Sequence, residues 1–167
     1  KKNIIVADLN NAKDLINASK YIKKFFRTID VMVCNAGGNI INNSNSLSAW
    51  KMIIDKNFWT TVNSVLYFEK LIKKNGKIIC ISSICGIDYI NGAPITYSVA
   101  KAALNHYIKL SSRTFAKDGI RINGVAPGNI LFENSVWEKK LKKNKKAVMS
   151  MLTKEVAMKR LGTIDEI

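Results

Sequence analysis

Tyr97 and Lys101 stand four residues apart in Tyr97-Ser98-Val99-Ala100-Lys101, a spacing that on a helix puts both side chains on one face, one turn apart. A phenol titrates at about 10, too high for proton transfer near neutrality unless its anion is stabilised, and a neighbouring ammonium favours that anion. A tyrosine tuned in this way can protonate a carbonyl oxygen, or deprotonate an alcohol, while hydride moves at the adjacent carbon. The pair alone is a common pattern, so nearby polar residues decide its weight. Ser82 and Ser83 close the apolar run KIICIS, 15 and 14 residues before Tyr97. Either hydroxyl could bond the same oxygen, and either could instead be a turn residue. Asn57, in IIDKNFWTTV, lies between apolar neighbours in a helical stretch, where Asn is disfavoured unless something uses it. Asn63 competes with it.

Short β-rich runs alternate with longer amphipathic ones, the pattern of a parallel sheet covered by helices. NIIVA (3–7) is a strand candidate, and residues 14–26 carry Leu15, Ile16, Ala18, Ile22, Phe25 and Phe26 at helical spacing. Asp30 opens the run VMVC, which ends at the turn-forming Asn35-Ala36-Gly37-Gly38. After a polar stretch, a long helix is predicted from near Leu47 to about Lys74, stopped by Asn75-Gly76. KIICIS is the next strand, and Thr96 is placed to cap a helix running to about Lys117. Asp118-Gly119 ends that helix, IRINGVA forms a strand broken by Pro127-Gly128, and the basic remainder reads as helical. The expected order is β-α-β-α-β-α-β-α in one domain, 1–167, with strands apolar enough to be covered on both faces. In such sheets ligands sit beyond the carboxyl ends of the strands. That rule singles out Asp8, Asn35 to Gly37, Ser82 to Gly86, and Pro127-Gly128.

Composition narrows the classes of function. No run approaches the roughly 18 apolar residues of a membrane helix, and Asp8 comes too early for a signal peptide, so an unsecreted, cytoplasmic protein without a membrane partner is expected. Cys34, Cys80 and Cys85 are odd in number and lack CxxC spacing, which argues against disulfides and against a metal site. The net charge of +15 is carried mostly by lysines spread over helical segments. The densest run, Lys139 to Lys146, has no interleaved aromatic, so it reads as a solvated helix face and no nucleic-acid partner is expected. His106, the single histidine, is expected at a packing or interface position.

The segments VADL, DVMVCNAGG, KNFWTTV, GKIICISSICG, YSVAKAAL and IRINGVAPGNI, in this order and at these separations, resemble the short-chain dehydrogenase/reductase family along nearly the whole chain. The resemblance implies a Rossmann-like, doubly wound α/β fold and an NAD(P)-dependent oxidoreductase interconverting a ketone and a secondary alcohol. It implies a tetrad in which Tyr97 is the general acid/base and Lys101 lowers its pKa and holds the nicotinamide ribose. Ser83, which heads the S-x-x-G pattern ending at Gly86, orients the substrate oxygen, and Asn57 positions a proton-relay water. Cofactor contacts are implied for Asp8 and Leu9 at the adenine, and for Asn35, Ala36 and Gly37 at its ribose. Pro127, Gly128 and Ile130 are implied at the carboxamide, beside Tyr97 and Lys101 themselves.

Two positions depart from the family pattern: Cys34 stands where Asn is usual, and Phe132 where Thr is usual, leaving Asn134 or Ser135 to supply that contact. The chain has no G-x-G turn, so the resemblance implies that a phosphate-binding strand-helix unit precedes Lys1 and a last strand follows Ile167. A non-catalytic remnant or interaction protein is the alternative. The implied substrates are 3-oxoacyl groups on acyl carrier protein, or sugars, since residues 128–148 resemble a longer substrate-covering helix of sugar-acting relatives. The cofactor is NAD or NADP, and a homodimer or homotetramer through the two long helices is implied.

Overall fold

The computed structural model describes residues 3–38 and 46–167. Two compact units, residues 1–126 and 127–167, divide the chain. In the first, helix α1 (Ala12–Phe25) starts where the Asn11 side chain accepts from the backbone N–H groups of Lys13 and Asp14, satisfying two of the donors that a helix start leaves free. Strand β1 (Ile29–Cys34) follows. Helix α2 (Leu47–Ile54), capped by Ser46, runs through a π-helical turn at Asp55–Trp59 into α3 (Thr60–Phe68). Strand β2 (Ile72–Ile81), helix α4 (Ile95–Phe115) and strand β3 (Arg121–Val125) complete the unit.

The three strands form one parallel sheet in the order β1-β2-β3, with Cys34 opposite Cys80 and Cys80 opposite Gly124. This is the α/β, Rossmann-like architecture expected. Alternation along the strands turns Cys34, Ile78, Cys80 and Ile122 into a core closed by Val65 of α3 and by Leu104, Ile108 and Phe115 of α4. Beside it, Leu15 and Ala18 of α1 pack with Phe68 and Leu71, and Met32 touches both clusters. The alternate positions Val31, Val33 and Val125 are exposed.

Three expected boundaries differ. Residues 3–7 form no strand, and Ile4 and Val6 are almost fully exposed; no described residue offers them a ladder, and an extended segment without one has nothing to hold it. The second helical stretch ends at Leu71, and β2 is irregular at Asn75, at φ 64°, before the regular pairing of Lys77 to Ile81. Helix α4 is preceded by Pro94, not capped by Thr96, which lies inside the helix and is buried. Pro94 fixes the extended entry and leaves Thr96 to pack. At the other end the expected stop holds: Gly119 adopts φ 70°, and Ile120 N–H reaches back to the Phe115 carbonyl, a left-handed helix ending.

In the second unit, Ile130 bridges Gly162 in parallel, and Ser135 opens helix α5 (Val136–Glu155). The helix kinks at Asn144, whose side chain accepts from Ala147 N–H. Val148 and Leu152 are its buried positions, so the lysine run before them projects from the unburied part. Among the described residues no helix is long and apolar enough to cross a membrane.

Candidate active site

Helix α4 brings Tyr97 and Lys101 together: the Lys101 ammonium nitrogen lies 5.7 Å from the centre of the Tyr97 ring. Lys101 is buried, and its ammonium donates to the Ile81 carbonyl at 2.8 Å, at the carboxyl end of β2. Burial pulls its pKa down from 10.5 to about 8 against a weaker upward pull from Cys80. Tyr97 is partly exposed, and burial raises its pKa while a hydrogen bond with the Ser83 hydroxyl draws it back down. The phenol is neutral, and its upward displacement is the opposite of the lowering by Lys101 that the resemblance implies.

Ser83 follows β2 directly and is buried, its hydroxyl accepting from Cys85 N–H at 3.2 Å. The short turn Ile84–Gly86 then passes against α4. Gly86 permits that approach, because a Cβ there would lie 2.5 Å from the Lys101 carbonyl carbon and 2.8 Å from the Ala102 nitrogen. Of the two serines, Ser83 is the one beside the phenol. Ser82 turns to Asn105, to which its hydroxyl donates at 2.5 Å.

Asn57 is fully buried inside the π-helical turn. Its amide donates to the carbonyls of Gly38 and Ile53, and its oxygen accepts from Gly38 N–H at 2.9 Å. Asn57 thus ties the end of β1 to the α2–α3 stretch. Gly37 lies between the pieces: a Cβ on it would sit 3.0 Å from the Asn57 oxygen and 3.6 Å from the Lys101 ammonium. Thr60 adds a bond from its hydroxyl to the Ala36 carbonyl. Asn63, the competing residue, is engaged elsewhere, donating to the Leu9 carbonyl at 3.1 Å. It holds the turn in which the Asp8 carboxylate accepts from Asn10 N–H.

Cys34 faces Cys80 across the ladder; both thiols are free and buried, and their mutual hydrogen bond pushes the Cys34 thiol up. Pro127, Gly128 and Ile130 belong to the second unit. There the buried Ser135 hydroxyl accepts from Glu138 N–H as the cap of α5, and Phe132 is exposed. His106 is exposed on α4.

Two residues of this region escaped sequence reasoning. Thr60 carried no signal. Asn105 did: it lies on α4 four residues after Lys101 and eight after Tyr97, a polar side chain on the same face.

Comparison with known proteins gives the class. The family model described as enoyl-(acyl carrier protein) reductase matches residues 1–167. The chain is 30% identical over 175 residues to the 3-oxoacyl-(acyl-carrier-protein) reductase FabG of Buchnera aphidicola subsp. Baizongia pistaciae, covering 98% of this chain and 65% of that protein. It is 27% identical over 165 residues to the oxidoreductase UcpA of Escherichia coli K12, covering 95% of this chain and 62% of the relative. Among solved structures, ElxO with NADP bound superposes with a TM-score of 0.81 at 28% identity, over 93% of this chain and 63% of that one. The chain belongs to the short-chain dehydrogenase/reductase family, whose members are NAD(P)-dependent oxidoreductases. It spans under two thirds of the length of these relatives.

Proposed function

We propose that the whole protein reduces a ketone to a secondary alcohol, in the cytoplasm, with Tyr97, Lys101, Ser83 and Asn57 as its working residues. The observation that carries this reading is the buried Lys101 ammonium 5.7 Å from the Tyr97 ring, with the Ser83 hydroxyl on the same phenol. The nicotinamide cofactor, when bound, supplies the hydride. The residues present fit it: Gly37 leaves open the space a Cβ would fill beside Asn57 and Lys101, at the strand ends where such folds take their ligands.

Each side chain then has a task. Ser83 donates a hydrogen bond from its hydroxyl to the substrate oxygen and fixes its direction. Tyr97 protonates that oxygen as negative charge develops on it. Lys101 stabilises the phenolate left behind and offers its remaining N–H donors to a ribose hydroxyl. Asn57 spends its amide on Gly38 and Ile53, so its part is to hold Asn35 to Gly38 in place, with one lone pair of its oxygen left for a water. Asp8 and Leu9, pinned by Asn63, are assigned to the adenine, and Asn35, Ala36 and Gly37 to its ribose. Pro127, Gly128 and Ile130 remain assigned to the cofactor by the family resemblance alone.

The FabG relative favours a 3-oxoacyl thioester on acyl carrier protein as substrate, and the +15 charge suits an acidic partner. Exposed apolar residues on the two long helical stretches, Leu66 on α3 and Leu110 on α4, support a homodimer or homotetramer. The test is oxidation of NADPH or NADH by the whole protein with a 3-oxoacyl thioester, against ketose sugars as a second panel. Turnover with the thioester is expected. Turnover confined to sugars moves the substrate class, and cofactor binding without turnover of any ketone supports a non-catalytic role.

A further inference from the structure

Asn105 bridges the two ends of the segment that carries Ser83. The Gly86 carbonyl can only accept, so the Asn105 NH2 group must face it, as it does at 3.0 Å. That fixes the Asn105 oxygen toward Ser82, whose hydroxyl therefore donates, at 2.5 Å. Ser82 N–H is bonded in turn to the Val125 carbonyl at the end of β3, at 2.7 Å. One amide thus clamps the strand end before Ser83 and the glycine after it onto the helix that bears Tyr97 and Lys101. Asparagine suits the task because it offers an acceptor and two donors from one short, planar group. Aspartate would keep the acceptor and lose the donor; leucine would lose both.

We infer that Asn105 is a positioning residue for the reaction, acting through Ser83: its bridge between Ser82 and Gly86 holds the Ser83 hydroxyl against Tyr97. The inference rests on the function proposed above. Loss of the bridge frees residues 83–86 from α4, so the Ser83 hydroxyl leaves the phenol. Because that hydroxyl lowers the Tyr97 pKa, its departure raises it. A side chain that only stabilised the helix would leave Tyr97 ionisation unchanged.

The experiment compares Asn105→Leu, Asn105→Asp, Ser83→Ala and the double variant Asn105→Leu/Ser83→Ala in the whole protein, with NADPH and the best ketone found. Asn105→Leu is expected to lower kcat about 10- to 100-fold, the loss typical of a misplaced reacting group, with KM for the cofactor within about twofold. The double variant should be no worse than Ser83→Ala, since two changes acting through one group do not add. Asn105→Asp, which keeps the bond from Ser82, should lose less, and it carries the test if the leucine variant does not fold. A kcat within about twofold of the parent, or losses that multiply in the double variant, would overturn the inference.

A readout independent of turnover separates this inference from the proposed function. Ultraviolet titration of Tyr97, taken as the difference from the matching Tyr97→Phe protein, should move to higher pH in the uncharged variant Asn105→Leu. An unmoved titration contradicts the role of Asn105 even in a protein with no ketone reductase activity. A moved titration without turnover in the parent leaves the clamp standing and removes the function.

Discussion

A lysine held at about 8 instead of 10.5 is a statement about both stability and chemistry. Between those values the unfolded chain keeps the proton that the folded one releases, so the unfolded state binds more protons and stability rises with pH across that window. The fall corresponds to roughly 3 kcal/mol against the charged form. Subtracting the pH-dependent unfolding curve of Lys101→Met from that of the parent should therefore isolate a rise from about pH 8 to about pH 10. A flat difference would show that Lys101 is not buried as described. The kinetic sign is the reverse: ketone reduction should fall as pH climbs through about 8, because the ammonium that supports the phenolate is lost. Asn57→Ala leaves the Gly38 N–H and carbonyl and the Ile53 carbonyl without their partner. Chemical denaturation should show a loss of about 1 to 3 kcal/mol, the cost of buried polar groups left unpaired. Of the three cysteines, only the half-buried Cys85 should react with a thiol probe in the native state, Cys34 and Cys80 being buried.

At the scale of elements, the turn after β2 is the part most sensitive to a single atom. Gly86→Ala drives a Cβ into the α4 backbone at Lys101 and Ala102, where no flexible side chain can yield. Thermal and chemical unfolding should show a loss of about 1 to 3 kcal/mol, with ketone reduction reduced more steeply than cofactor binding. The helical spacing of Tyr97 and Lys101 and the left-handed stop at Gly119 are legible in the sequence because they are local features. What escaped the sequence depends on contacts made far along the chain. Residues 3–7 have strand composition, yet a strand exists only where another offers a ladder. The π-helical turn at Asp55–Trp59 surrounds Asn57, whose bonds to Gly38 span 19 residues. Thr60 reaches Ala36 across 24 residues. Asn105 shows its importance only once Ser82 and Gly86 are placed beside it.

At the scale of the molecule, a three-stranded parallel sheet with its helices packed on the Cys34, Ile78 and Cys80 face carries the tyrosine, the lysine and the serine on neighbouring segments of one unit. Leu66 and Leu110 are exposed on the long helices, and the pair Leu66→Glu and Leu110→Glu should shift the whole protein to a smaller species in sedimentation; an unchanged mass would place the interface elsewhere. On the proposed function, Tyr97 passes the proton while hydride moves. Single-turnover ketone reduction by Tyr97→Phe in the whole protein, with cofactor binding followed by fluorescence, tests that role. The rate should fall by about 100- to 10,000-fold, the contribution of a positioned general acid, with cofactor affinity within about threefold of the parent. Turnover retained at the parent rate would contradict the account.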